Sequence, residues 1–387
     1  MPTTVTVTKR GAERARARHC WIYRSDVSDA KRAKPGEVVR VVDPAGRFVG
    51  HALHSSRSQI TLRFVSFEDQ EINREFWRAR LLSAARLRKE VVRDTSAYRL
   101  VYGESDLLPS LIVDRFNDCF VIQTLSQGMD ALKQTWIELL TELYEPRAIV
   151  ERNEARVRDL EGLPRTSGVV YGADPGELVV DENGVRFAVN LIEGQKTGAF
   201  LDQRENRVAA ASYARGRALD CFTFQGGFAL HLARGADQVL GVDVSGAAIA
   251  HSKRNAELNG ATNVEFLEAN VFDLLRELEE RNERFDVINL DPPAFAKNRA
   301  SVDAAKRGYK EINLRAIRML TAGGTLITST CSYHMSEDAF LNVLADSAAD
   351  ARRSVQIIEK RTQSRDHPVL ISMPETHYLK CMILRVY

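Results

Sequence analysis

The 387-residue sequence predicts an α/β protein built on a seven-stranded mixed sheet, with a β-barrel-like module and a small α+β region ahead of it. Three observations predict this. From about residue 185 onward, strand-like runs alternate strictly with helical ones, the signature of βαβ crossovers and a parallel sheet buried on both faces. The last two strand-like runs, "SVQIIEKR" and "HYLKCMILRVY", leave no room for a helix between them, so they must pair antiparallel beside the parallel strands. The first 70 or so residues instead hold short alternating runs parted by the turn signals Pro35-Gly36 and Pro44-Ala45-Gly46.

The length calls for two or three domains, and the pattern divides at 1–70, 71–180 and 181–387. The first region opens on a strand in which Val5 and Val7 alternate with threonines, and there is no signal peptide. Arg14, Arg16, Arg18, Arg24, Lys31, Arg32 and Lys34 crowd its first half against few acids. Alone, such a run is as readily a solvated face as a binding surface. The second region begins with an Arg-rich amphipathic helix, "INREFWRARLLSAARLRKEVV". Strand-like "SLIVDRF" and "CFVIQTL" follow, then a helix near 130–143 and a strand near 148–151, with no catalytic constellation. Hydrophobic residues make up 44% and charged ones 27%, ordinary for a soluble globular chain, and no apolar run approaches the roughly 20 residues of a membrane helix. Five cysteines, odd in number and without a CxxC pair, argue against a disulfide framework or a metal site and for a reducing cytoplasm. A net charge of +2 confines any nucleic-acid surface to a local patch.

In the third region the expected strands are 218–222, 239–244, 264–267, 285–290 and 325–330. Ligands of a doubly wound sheet sit at the carboxyl ends of the strands, and those ends read Asp220, Asp243, Asn270, Asp291 and Cys331. In "LDCFTFQGGFALHLA" the strand ends at Asp220, and Gly226-Gly227 lets backbone approach a ligand before a helix. Phe222 and Phe224 stand where a GxGxG loop has its first two glycines, so this is no dinucleotide fingerprint. Asp243, followed by Val244, is placed to accept hydrogen bonds from both hydroxyls of a ribose. Taken alone, an Asp before Ser245 is as readily a helix cap. Asn270 is placed for an adenine amino group, with Val271 and Phe272 to stack on or flank the ring. Together these positions suit an adenosine with a positively charged tail, namely S-adenosyl-L-methionine (SAM).

"DVINLDPPAFAKN" is the sharpest motif. Asp291-Pro292-Pro293 closes the fourth strand, and the prolines, which lack an N–H, hold an open loop with carbonyls free. Cys331, in "GGTLITSTCSYHMSEDAF", closes the adjacent fifth strand and faces the same cleft. Strand-end cysteines are mostly inert packing. Here the position favours chemistry, because carbon 5 of a pyrimidine becomes nucleophilic only after a thiolate adds at carbon 6. That requires a cysteine beside the cofactor within reach of a flipped-out base.

"LDCFTFQGGF", "NLDPPAF", "RGYKEINLRAIRMLTAGGTLITSTCS", "DHPVLISMPETHYLKCMILRVY" and "EGQKTGAFLDQRENR" together resemble the bacterial 23S ribosomal RNA large-subunit 5-methylcytosine methyltransferase I family, across essentially the whole chain. The resemblance implies a Rossmann-like class I methyltransferase domain and, from "GAERARARHCWIYRSDV", a PUA-like RNA-binding β-barrel at the N-terminus. It implies SAM as donor, carbon 5 of a cytidine as acceptor, Cys331 as nucleophile, and 23S ribosomal RNA as partner without metal or membrane. The pattern departs from the family in three places. Asn270 replaces the usual Asp, Tyr333-His334 replaces smaller residues, and Pro292 stands where two-cysteine RNA enzymes carry their second thiol. Cys221 reads as packing.

In the expected reaction Asp291 and nearby carbonyls hold the amino edge of the cytidine while Cys331 adds to carbon 6. The base that removes the carbon 5 proton is left open among Lys380, Tyr378 and a water. Lys196 and Arg204 are expected to meet the methionine carboxylate or an RNA phosphate, Arg204 alternatively pinning its loop to Asp220. Methylation of uridine carbon 5, methylation of a base amino group, and a non-catalytic RNA-binding or assembly role remain alternatives. The oligomeric state is left open, with a homodimer as one outcome.

Overall fold

The computed structural model describes residues 2–194, 198–296 and 301–387. The chain divides into two compact units. The first runs to Val180 and adds Val189–Leu201 and Arg365–Thr376; the second comprises Asp181–Ala188, Asp202–Ser364 and His377–Tyr387.

In the first unit, β1 (Thr4–Val7), β2 (Trp21–Tyr23), β3 (Val27–Asp29), β4 (Val38–Val42), β5 (Phe48–His54) and β6 (Ile60–Ser66) form one sheet in the order β2-β6-β5-β4-β1-β3. Val5, Val7, Ile22, Val39, Val41, Leu62 and Phe64 supply its core. The basic stretch within this strand-rich region is in fact helical over α1 (Lys9–Arg16). Thr8 caps it by accepting the Gly11 N–H at 3.2 Å, and Gly11, Ala12 and Ala15 form one buried face while the charged residues point to solvent.

The amphipathic helix α2 (Arg74–Val91) follows, burying Trp77, Leu81, Ala84 and Arg88 along one stripe. A second sheet takes the order β11-β10-β9-β8-β7 from β7 (Ala97–Tyr102), β8 (Leu111–Phe116), β9 (Cys119–Thr124), β10 (Ala148–Asn153) and β11 (Thr166–Gly172). The helix expected near 130–143 is two, α3 (Gln127–Ala131) and α4 (Lys133–Tyr144), with Ser126 capping the first. Trp136 of α4 meets Trp77 edge-on with ring centroids 5.5 Å apart. α5 (Val157–Glu161) lies between β10 and β11 in sequence, and β12 (Glu177–Glu182) and β13 (Val185–Asn190) pair as a hairpin.

The second unit carries the alternation read from the sequence: α6 (Arg204–Ala211), β14 (Arg217–Cys221), α7 (Gly227–Leu232), β15 (Gln238–Asp243), α8 (Gly246–Asn259), β16 (Val264–Glu268), α9 (Val271–Glu280), β17 (Phe285–Leu290), α10 (Val302–Met319), β18 (Leu320–Thr330), α11 (Glu337–Ala351), β19 (Val355–Arg361) and β20 (Lys380–Val386). Its seven strands lie in the order β16-β15-β14-β17-β18-β20-β19. β14 to β18 run parallel, and β20 is antiparallel to both β18 and β19. Leu219, Val242, Ile288, Leu290 and Leu326 are fully sealed in its core. Each such aliphatic side chain contributes roughly 1.5–3 kcal/mol by leaving water. β18 starts five residues earlier than the sequence suggests, because pairing jumps from Phe285↔Leu320 to Val287↔Thr325 across an excursion that turns at Gly323, where φ is +76°. From β14 the chain winds outward through β15 and β16, then returns to β17 on the other side. The crevice of this switch point therefore opens beyond the carboxyl ends of β14 and β17.

Candidate active site

Asp220, next to the end of β14, is fully buried. Its Oδ2 accepts from the Thr223 hydroxyl at 2.6 Å and the Ala229 N–H at 2.8 Å, and its Oδ1 accepts from Asn289 Nδ2 at 2.7 Å. Burial pushes this carboxyl up to about 6, against the pull of those donors and of the Arg207 charge. Asp220 thus ties the loop between β14 and α7 to the neighbouring strand from inside, and its oxygens point into protein.

The loop itself repeats the geometry of a glycine-rich turn without its first glycines. Phe222 and Phe224 sit in the left-handed region, at φ +65° and +50°. That region costs an L-residue roughly 1–2 kcal/mol. Gly226 follows at φ +82°, and a Cβ there would come within 3.1 Å of the Phe266 ring. At Gly227 a Cβ would lie 2.7 Å from Arg207 Nε, so a side chain at either position would press on protein, and at Gly226 it would also meet an unfavourable backbone angle. The strained loop is held by Asp243, whose Oδ2 accepts the Phe224 N–H at 2.9 Å while its Oδ1 accepts the Ser245 N–H at 3.0 Å.

Asp243 itself is half-buried, and Val244 beside it is 69% exposed. Asn270 caps α9, its Oδ1 accepting from Phe272 N at 2.9 Å and Asp273 N at 3.4 Å. The amide oxygen expected to meet an adenine amino group is therefore committed to the helix, which turns the donor end of the side chain to any ligand. Val271 is buried in the core rather than presented at the rim. Phe272 is half-buried and, with Phe222 and Tyr309, surrounds Phe295 at centroid distances of 5.9, 6.4 and 4.7 Å.

Asp291, just past β17, is half-buried, with Pro292 buried after it. Gln203 Nε2 donates to its Oδ1 at 2.7 Å. Burial and the nearby negative charge of Asp202 push this carboxyl up to about 7, with Gln203 and the Arg207 cation acting the other way. Asp202 accepts the Tyr378 hydroxyl at 2.6 Å. Asp202, Gln203, Arg207 and Tyr309 belong to this site and were not singled out for it by sequence reasoning. Asp202, Gln203 and Arg207 do fall within the quoted stretch "EGQKTGAFLDQRENR", and Tyr309 within "RGYKEINLRAIRMLTAGGTLITSTCS". Arg204 is buried, and its guanidinium lies 3.7 Å from Glu205. Asp220 is held by Thr223, Asn289 and the Ala229 N–H, while Lys196 lies outside the described residues.

β17 and β18 are parallel neighbours, with Leu290 opposite Thr328, so Asp291 and Cys331 close adjacent strands at one edge. The two residues flanking Cys331 are turned fully inward. The Thr330 hydroxyl donates to the Tyr309 hydroxyl at 2.7 Å, and Ser332 Oγ lies 3.0 Å from the same oxygen while accepting the Ala296 N–H at 3.2 Å. Cys331, between them, is turned outward and half-buried, whereas Cys20, Cys119, Cys221 and Cys381 are buried. Burial holds the Cys221 thiol well above its ordinary value and pushes Cys381 up to about 12, which leaves both inert.

Comparison with known proteins gives this geometry its family. The family of S-adenosylmethionine-dependent methyltransferases matches residues 163–384, and a PUA-like domain matches residues 5–67. Proteins named ribosomal RNA large subunit methyltransferase I are similar over the full chain: that of Tolumonas auensis is 43% identical and that of Vibrio cholerae 40% identical, each alignment covering 100% of both chains. Among solved structures, one complexed with SAH matches 99% of this chain and 100% of its own, with a TM-score of 0.86 at 21% identity. Another, from Streptococcus mutans, has the same coverage and a TM-score of 0.84 at 20% identity. At those identities the two structures speak for the fold.

A doubly wound mixed sheet with its antiparallel strand beside the fifth, a PUA-like domain ahead of it, and a matched SAM-dependent domain define a class I SAM-dependent methyltransferase. Within that class, the chain belongs to the ribosomal RNA large subunit methyltransferase I family. The residues present fit the cofactor. Asp243 offers a half-buried carboxylate for ribose hydroxyls, Val244 and Phe272 offer apolar surface for a purine, and the negative charge of Asp202 near Asp291 favours a sulfonium cation in the crevice. Among the described residues no helix is long and apolar enough to cross a membrane.

Proposed function

We propose that this methyltransferase forms 5-methylcytosine in 23S ribosomal RNA, in the cytoplasm, through a covalent adduct between Cys331 and carbon 6 of the target base. The observation that carries the reading is the presentation of one cysteine. Cys331 alone of the five is not buried; its neighbours Thr330 and Ser332 are anchored inward, and it follows the strand adjacent to the one that Asp291 follows. The names of the curated relatives supply the RNA substrate class, and the PUA-like region supplies the docking module, with residues 71–180 as a middle domain and 181–387 as the catalytic one.

SAM supplies an electrophilic methyl group on a sulfonium. Asp243 would hold its ribose, Val244 and Phe272 would flank its purine, and Asn270, with its oxygen committed to the cap of α9, would offer its amide N–H₂ to the cofactor. Asp220, Gly226 and Gly227 act indirectly, by fixing the loop that carries Phe222. Asp291, raised to about 7, is protonated in a large fraction of molecules near neutrality. In that state it donates to the cytosine ring nitrogen while the carbonyls around Pro292 accept from the amino group. Drawing density from the ring at that nitrogen opens carbon 6 to the Cys331 thiolate. The carbon 6–sulfur bond then makes carbon 5 nucleophilic toward the methyl.

Replacing Cys331 with Ala tests the reading on a 23S ribosomal RNA substrate. Methyl transfer should fall by about 10⁴-fold or more while SAM affinity stays within about threefold. Full methyl transfer by C331A would overturn the thiol mechanism.

A further inference from the structure

A buried lysine sits across the last rung of the β18–β20 ladder, Thr330↔Lys380, from the residue before Cys331, without the ionic partner such a group ordinarily has. Lys380 is 5% exposed, and its Nζ donates to the Tyr378 carbonyl at 3.2 Å. Among the described residues it makes no ion pair, although lysine is almost never buried unless paired. Three titratable groups face it. Cys331, from the end of β18, and Glu337, from the start of α11, act on it through their charge, and His377 lies on its own segment. Glu337 is engaged elsewhere, accepting from Lys360 of β19 at 2.7 Å. Burial lowers the proton affinity of the Lys380 amine, with Cys331 and Glu337 partly opposing, and burial together with the Lys380 charge does the same to His377. A lysine so placed is suited to exchanging a proton rather than to holding a structural salt bridge.

We propose that Lys380 takes the proton of the Cys331 thiol and holds the sulfur as a thiolate, an assignment that rests on the covalent reading above. The Sγ–H bond breaks, an Nζ–H bond forms, and a neutral thiol and amine become a thiolate–ammonium pair. The thiolate adds to carbon 6. When the carbon 6–sulfur bond later breaks, the sulfur returns as thiolate, so Lys380 keeps its proton between turnovers. The carbon 5 proton leaves to water.

The test is the pH dependence of Cys331 alkylation by iodoacetamide in the full chain. It is compared between wild type, Lys380→Met and Lys380→Gln, with Cys331→Ser subtracted as background. In both lysine variants the alkylation profile should move up by at least about one pH unit, toward or beyond the ordinary thiol value of about 8.5. Methyl transfer at pH 7 should fall by about 10- to 100-fold, with the deficit narrowing as pH approaches 9.5 and SAM affinity unchanged. The two replacements differ in polarity, so a folding defect in one leaves the other to decide. An unchanged alkylation profile in a variant that still binds SAM would overturn the assignment. Alkylation reads the thiol without methyl transfer, so this failure is distinct from failure of the covalent reading, which C331A activity reports.

Discussion

Several buried carboxylates in the first unit meet guanidinium groups, whereas Asp220 and Asp291 at the strand ends of the second are held chiefly by neutral donors. Glu161 pairs with Arg63 at 2.8 Å, Asp114 with Arg99 at 2.8 Å, and Asp106 with Arg88 through two bonds. Asp220 and Asp291 instead receive Thr223, Asn289, Gln203 and a backbone N–H, and their proton affinities rise to about 6 and about 7. The contrast recurs within the second unit. Burial also works against the charge of Glu182, but Arg207 and His231 bond it directly and hold it down to about 2. Full pairing fixes a position and uses up the group's chemistry. Partial pairing leaves a carboxyl that changes its proton within the working pH range, which is what a site needs.

The sharpest way to break this comparison is to unpair a charge in the first unit. Arg63→Met leaves Glu161 buried without its cation and should cost about 3–5 kcal/mol of unfolding free energy. SAM affinity measured by calorimetry should stay within about twofold. A comparable loss of SAM affinity would mean the paired network serves the site after all.

Asp220→Ala is the counterpart in the second unit. It strands Asn289, Thr223 and the Ala229 N–H, at about 2–3 kcal/mol by chemical denaturation. It should also weaken SAM binding about 10-fold, because the Phe222–Gly226 loop loses its inner anchor. Unchanged SAM affinity would show that Asp243 alone holds the loop.

The smallest effect belongs to Asp291→Asn and appears as a slope against pH. The folded-state value of Asp291, about 7, lies above the usual carboxylate range. Its contribution to stability is therefore complete below about pH 4 and is lost as pH rises through about 7. Thermal unfolding of the wild type should lose ground relative to the variant between about pH 4 and 7 and run level with it above about pH 8. Parallel curves would place the proton elsewhere.

Much of this site was legible in the sequence because it follows from topology. Once strands alternate with helices, the strand ends are the edge where ligands sit, and Asp243, Asp291 and Cys331 fall there by position. What the sequence hid is what depends on side-chain direction. Asp220 occupies a strand end yet points into protein, and Val271 is core, because a helix start places successive residues on different faces. Asp202, Gln203 and Tyr378 tune Asp291 from positions about 90 residues away, and no spacing rule reaches that far. α1 was masked by its own charge, since its buried face consists of glycine and alanine, which leave no hydrophobic period to read. The positive φ angles of Phe222 and Phe224 break a local rule at the site itself, where tertiary bonds override intrinsic preference.

The most direct measurement of the central claim uses a 23S ribosomal RNA fragment carrying 5-fluorocytidine at its methylated position, incubated with the protein and SAM. Fluorine replaces the proton that must leave carbon 5, so a covalent intermediate cannot resolve. A protein–RNA band that survives denaturing electrophoresis, maps to Cys331 by mass spectrometry, and is absent with Cys331→Ser is the predicted result. No such band under conditions that methylate ordinary RNA, or a band that persists in Cys331→Ser, would contradict it.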